Sequence, residues 1–195
     1  MSIDLRTLMP WHTDAQQRRE RRSRAIAHRR ERCLTLGPAM RLQFEDETSV
    51  RHQILEVLQA ERITDAAQAQ QVVDGYAHLL GDVRQWKATL FIEIPEALRR
   101  ERELPLLSLA AHHLYLACGE LPRLVAEANE DLPDRHLGRP SAVHFLRFAL
   151  PEPMAAALRA GHAAVLGCAH PGYAWQRVIP ASVLERLCTD TLVRT

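Results

Sequence analysis

The stretch SAVHFLRFAL, residues 141 to 150, decides the fold class. Ala142, His144, Leu146, Phe148 and Leu150 fall on one side of an extended chain, and Arg147 points to the other. Such period-two alternation predicts a strand with one face in the core. Downstream, Pro151 to Ala160 predicts a short helix ending at Gly161, and Ala163 to Ala169 another strand. Upstream, KATLFIEI (residues 87 to 94) sets Ala88, Leu90, Ile92 and Ile94 against Thr89, Phe91 and Glu93, and Pro95 ends the run. Met40, Leu42 and Phe44 alternate in the same way with Arg41, Gln43 and Glu45. His113 to Cys118 completes a set of about five strands.

Helical spacing fills the gaps between them. Residues Asp14 to Arg32 contain no Pro or Gly, and Leu36-Gly37-Pro38 closes the segment. Thr48 is the expected cap of a helix running to about Arg62, with Val50, Ile54, Val57 and Leu58 as its apolar stripe. Asp65 or Thr64 caps a second helix carrying Ala69, Val73 and Leu80, so the pair predicts an antiparallel hairpin. Further helices are expected before Glu103, over Leu121 to Glu130 and over Pro180 to Thr191. Helices of uneven length between strands argue for an α+β fold over a regular doubly wound repeat. The expected architecture is one domain, residues 1–195. It holds a mixed or antiparallel sheet of about five strands, a helical hairpin, and a basic helical arm over residues 14–36.

Composition is that of an ordinary globular chain, 47% hydrophobic and 25% charged over 195 residues. No apolar run approaches the roughly 18 residues that span a bilayer. Met1 to Asp14 lacks the basic start and apolar stretch of a secretory signal. Cys33, Cys118, Cys168 and Cys188 stand far apart, without C-x-x-C or zinc-finger spacing. A cytoplasmic protein with reduced thiols is therefore expected.

The net charge of +1 hides an asymmetry. Eight arginines and two glutamates between Arg18 and Arg32 carry +6, leaving −5 for the remainder. Such an arm folds back on its own body, docks an acidic partner, or touches nucleic acid. Nucleic acid is the least favoured, because no aromatic residue interleaves with the arginines. Arg18, Arg19, Arg21 and Arg22 are the candidate partner-binding residues.

Motifs of familiar chemistry are missing: there is no P-loop, no dinucleotide glycine fingerprint, no G-x-S-x-G and no H-E-x-x-H. What remains is polar residues on apolar elements. At 100° per residue, Glu61 falls about 20° from Val50, inside the apolar stripe, whereas Glu56 falls about 240° away. A carboxylate brought inward must be paired, protonated or metal-bound, or else the helix must end so that it reaches solvent. Glu93 and His144 lie within strands, and His170 follows one. Together Glu61, Glu93, His144 and His170 would make an oxygen–nitrogen set suited to a transition metal such as iron, manganese or zinc. Arg147 would hold an anionic substrate or pair with a carboxylate.

Four stretches carry a family likeness: LQFEDETSVRHQILEVLQAERI (Leu42 to Ile63), WKATLFIEIPE (Trp86 to Glu96), SAVHFLRFAL, and GCAHPGY (Gly167 to Tyr173). In this order and spacing they resemble the bacterial family catalogued as domain of unknown function 3501, over nearly the whole chain. The matching positions include Phe44, Glu45, Thr48, Gln53, Glu56, Glu61, Thr89, Glu93, His144, Arg147, His170 and Tyr173. The resemblance implies company with rubrerythrin-like di-iron proteins and iron–sulfur oxidoreductase subunits, hence a redox or oxidative-stress setting. Ala169 departs from the family's usual Asp before His-Pro, Arg139-Pro140 from its Lys-Thr, and Val57 from its Met. Two functions follow as expectations. One is an accessory protein binding a ferritin-like or iron–sulfur partner through the basic helix. The other is a metal-dependent, redox-associated enzyme using the carboxylate–histidine set.

Overall fold

The computed structural model describes residues 3–128 and 140–192. In chain order these residues form α1 (Ala15–Arg30), β1 (Cys33–Leu36), β2 (Met40–Phe44), α2 (Glu47–Ala60), α3 (Ala66–Tyr76), β3 (Gln85–Ile92) and α4 (Ala97–Ala110). There follow β4 (Leu114–Cys118), β5 (Leu124–Val125), β6 (Glu127–Ala128), β7 (Val143–Ala149), α5 (Glu152–Arg159), β8 (Ala164–Cys168), β9 (Gln176–Val178) and α6 (Ala181–Leu192). The α+β class expected from the pattern holds. The strands are distributed over two antiparallel sheets, ordered β1-β2-β3-β7-β6 and β5-β4-β8-β9.

Register explains why the alternating runs pair as they do. Between β3 and β7 the opposed residues are Trp86 and Phe148, Ala88 and Leu146, Leu90 and His144. The inward face of each run thus meets the inward face of the other, and a slip by one residue would turn both sets outward. Leu42, Leu90 and Phe148 of this sheet join Leu116 and Leu166 of the second, with Leu187 of α6, in one apolar core. A second core lies on the opposite side of the first sheet. There Val50, Ile54 and Leu58 of α2 meet Ala69 and Val73 of α3, Trp11 packs in from the N-terminal segment, and Phe145 of β7 packs against them.

Three local differences have physical reasons. The basic arm is helical only to Arg30, and Cys33–Leu36 leaves it to form a hairpin with β2. Gly37 makes the hairpin turn at φ 64°, where a Cβ would collide with Tyr173 and Trp175. The segment expected as a helix from Leu121 to Glu130 instead supplies two short edge strands, as far as it is described. Leu124–Val125 pairs with β4, and Glu127–Ala128 pairs with β7. Here open sheet edges override helical spacing, and residues 129 and 130 lie outside the described residues. Helix α4 runs past Glu103 to Ala110, because Leu107 and Ala110 are buried in the first core. Among the described residues no helix is long and apolar enough to cross a membrane.

Candidate functional site

Polar groups concentrate where β2 gives way to α2. The cap of α2 is Asp46, not Thr48. Its carboxylate accepts from the Ser49 N–H at 2.8 Å, and the Asp46 N–H donates to Ser49 Oγ at 3.0 Å, a reciprocal capping box. One residue earlier, Glu45 continues the alternation of β2 and turns its side chain away from the Phe44 face. Its carboxylate accepts from Thr89 Oγ1 at 2.7 Å and from Ser49 Oγ at 2.5 Å. Burial pushes the Glu45 carboxyl above the usual carboxylate range, against the opposing effect of its two hydroxyl donors and of nearby Arg29.

Helix α1 lies across α2 and divides its arginines between two faces. On the inner face Arg18 donates to Glu56 at 3.0 Å, and Arg21 donates to Glu56 at 3.4 Å and to Gln59 at 2.9 Å. His28 lies 2.7 Å from the Asp46 carboxylate. Arg32 bridges Asp46 at 3.2 Å and Asp190 of α6 at 2.6 Å. Two clefts flank the first turn of α2 and share Thr48 and Arg51. The acidic one, about 340 Å³, is lined by Glu45, Asp46, Glu47 and Asp190. The basic one, about 380 Å³, lies in the groove between α1 and α2.

The four residues expected to hold a metal are not gathered. Glu61 does not lie in the apolar stripe: α2 ends at Ala60, Glu61 is the exposed C-cap, and Ile63 is buried in its stead. Glu93 is an exposed strand-end residue paired with Arg41 at 2.5 Å. His144 is fully buried, its Nε2 lying 3.0 Å from the Ser141 carbonyl oxygen and 3.3 Å from Ser108 Oγ. His170 accepts the Gly172 N–H on Nδ1 at 3.1 Å and stacks edge-on against His113. Among the described residues no three His, Cys, Asp or Glu side chains are placed to hold a metal ion. Arg147 pairs with Glu127 across β6 and β7.

Sequence reasoning passed over Glu45, Asp46 and Asp190. Glu45 and Thr89 were both visible as family-matching positions. Their hydrogen bond joins two stretches separated by 44 residues, and only the register of β2 against β3 brings them together.

A family model described as protein of unknown function (DUF3501) matches residues 2–191. The chain belongs to this family. A solved structure described as a novel protein of unknown function from Burkholderia pseudomallei K96243 is similar to it at 36% identity. That similarity covers 97% of this chain and 95% of the other, with a TM-score of 0.86. No curated protein matches. Several family positions have structural work in this fold. Glu45 and Thr89 are bonded to each other, Glu56 joins two arginines of α1, and Tyr173 holds the β1–β2 turn. Ala169, where the family's Asp is usual, is exposed and donates its N–H to the His113 carbonyl at 2.9 Å.

Proposed function

We propose that this protein is a non-catalytic accessory protein that docks the acidic face of a redox metalloprotein, of ferritin-like or iron–sulfur type, through the outer face of α1. One observation carries this reading. Arg19, Arg22, Ile26 and Arg30 fall in a stripe about 80° wide on the helix. All four are exposed, Ile26 to 46%. The three arginines make no ion pair among the described residues, whereas Arg18, Arg21 and Arg32 are held by Glu56, Asp46 and Asp190. An apolar side chain flanked by cations is the pattern of a docking patch, with a dry centre and a charged rim. The partner class follows from the redox setting that the family resemblance implies. The partner-binding set therefore becomes Arg19, Arg22 and Arg30, with Arg18 and Arg21 bracing the helix.

A cytoplasmic setting accords with this reading, since Cys33, Cys118, Cys168 and Cys188 are all free thiols. The test is co-purification with a rubrerythrin-like di-iron protein and with an iron–sulfur oxidoreductase subunit. The triple variant Arg19→Ser, Arg22→Ser, Arg30→Ser should lose the partner while keeping its fold. Retention of both partners by that variant would refute the assignment of the face.

A further inference from the structure

We infer that the groove between α1 and α2 is a binding site for a phosphate-class oxyanion. Its wall is built from both helices: Arg21, Arg24 and His28 from α1, and Thr48, Arg51 and His52 from α2. Three guanidinium groups and two imidazoles thus line about 380 Å³, and no carboxylate is among the lining residues. Ala25 and Leu55 complete the lining, and the acids that meet its cations, Glu56 at Arg21, Asp46 at His28 and Glu47 at Arg51, stand outside it.

The hydrogen-bonding account points the same way. Arg21 Nε and His52 Nδ1 are both buried and have no partner among the described residues. Buried polar nitrogens normally find an acceptor, and leaving one unmet is costly. Arg24 is exposed at the rim with no ion pair among the described residues. Arg51 is fixed from outside the groove, donating to the Thr7 carbonyl at 2.7 Å and lying 3.4 Å from Glu47. The nitrogens left unmet, Arg21 Nε of α1 and His52 Nδ1 of α2, come from two helices, with Arg24 beside them. Such a spread suits a tetrahedral dianion, whose oxygens point in several directions, better than a planar carboxylate. Burial holds the His52 imidazole below its ordinary value, and Arg29, Arg21 and Arg22 depress it further against the opposing pull of Glu56. An anion in the groove would reverse that balance and favour imidazolium.

This site is distinct from the docking stripe: Arg19, Arg22 and Arg30 do not line it. Its test therefore fails or succeeds independently of partner binding. The His52 ring would be followed by NMR through a pH titration of the full chain. One sample would contain inorganic phosphate, a second phenyl phosphate, and a third acetate at matched ionic strength. Saturable binding of a phosphate with an upward shift of the His52 midpoint is the expected result. Arg24→Gln, a substitution at an exposed position, should weaken that binding at least tenfold, and Arg19→Gln should leave it unchanged. Tighter binding of inorganic phosphate would identify a free anion as the ligand. Tighter binding of phenyl phosphate would identify the phosphoryl group of a larger one. Shifts equal in acetate, or equal loss in Arg24→Gln and Arg19→Gln, would show general screening and overturn the site.

Discussion

Tyr173 ties the two sheets together through one oxygen. Its hydroxyl donates to the Leu36 carbonyl at 2.6 Å and accepts from the N–H groups of Ala39 at 3.0 Å and Met40 at 3.2 Å. All three partners belong to the β1–β2 hairpin, while Tyr173 follows β8 of the other sheet. Tyr173→Phe leaves those buried backbone groups without their partner and should cost about 1–3 kcal/mol. Urea denaturation measures this, and a loss below about 0.5 kcal/mol would show that the hairpin finds other partners. Glu45 offers a second residue-level test. Its carboxyl is raised in the folded state by burial, so folding favours its protonated form. That contribution is full below the ordinary carboxylate range and is lost as pH rises through the folded value. Glu45→Gln should therefore gain on the wild type as pH rises across that window. Parallel stability–pH curves would contradict it.

At the scale of elements, α2 shows what a helical wheel captures and what it omits. The wheel placed Val50, Ile54 and Leu58 in the core correctly, and all three are fully buried. It extended one residue too far for Glu61, because periodicity carries no information about where a helix stops. The stop lies in the turn geometry. The Ile63 N–H donates to the Leu58 carbonyl at 2.9 Å and the Arg62 N–H to the Gln59 carbonyl at 3.3 Å, with Arg62 left-handed at φ 55°. Arg62 occupies a position that usually selects glycine, which would have made the end visible. Arg62→Gly should raise stability by up to about 1 kcal/mol, read as an increase in Tm. A fall in Tm would mean that the arginine side chain contributes more than its backbone costs. The edge strands β5 and β6 were hidden for a related reason: two-residue pairings have no period to detect.

Across the whole molecule, the charge asymmetry was legible and its division was not. Counting charges located the +6 segment. Only the packing of α1 on α2 separates arginines held by Glu56, Asp46 and Asp190 from those facing outward. The same packing shows why four family-matching residues do not make one site. Glu61 and Glu93 lie at exposed ends of elements, whereas His144 and His170 belong to strands of different sheets or the turn beyond them. Residues that match a family pattern can thus serve the fold separately, as Tyr173 and Glu56 do.

The docking claim is tested most directly by the affinity of the rubrerythrin-like or iron–sulfur partner at low and high salt. Wild type would be compared with the outer triple variant Arg19→Ser, Arg22→Ser, Arg30→Ser. Tight binding that weakens with salt in the wild type, and an affinity on the order of tenfold to a hundredfold lower with a flatter salt dependence in the variant, is the expected result. Equal affinity and equal salt dependence in the two proteins would contradict it.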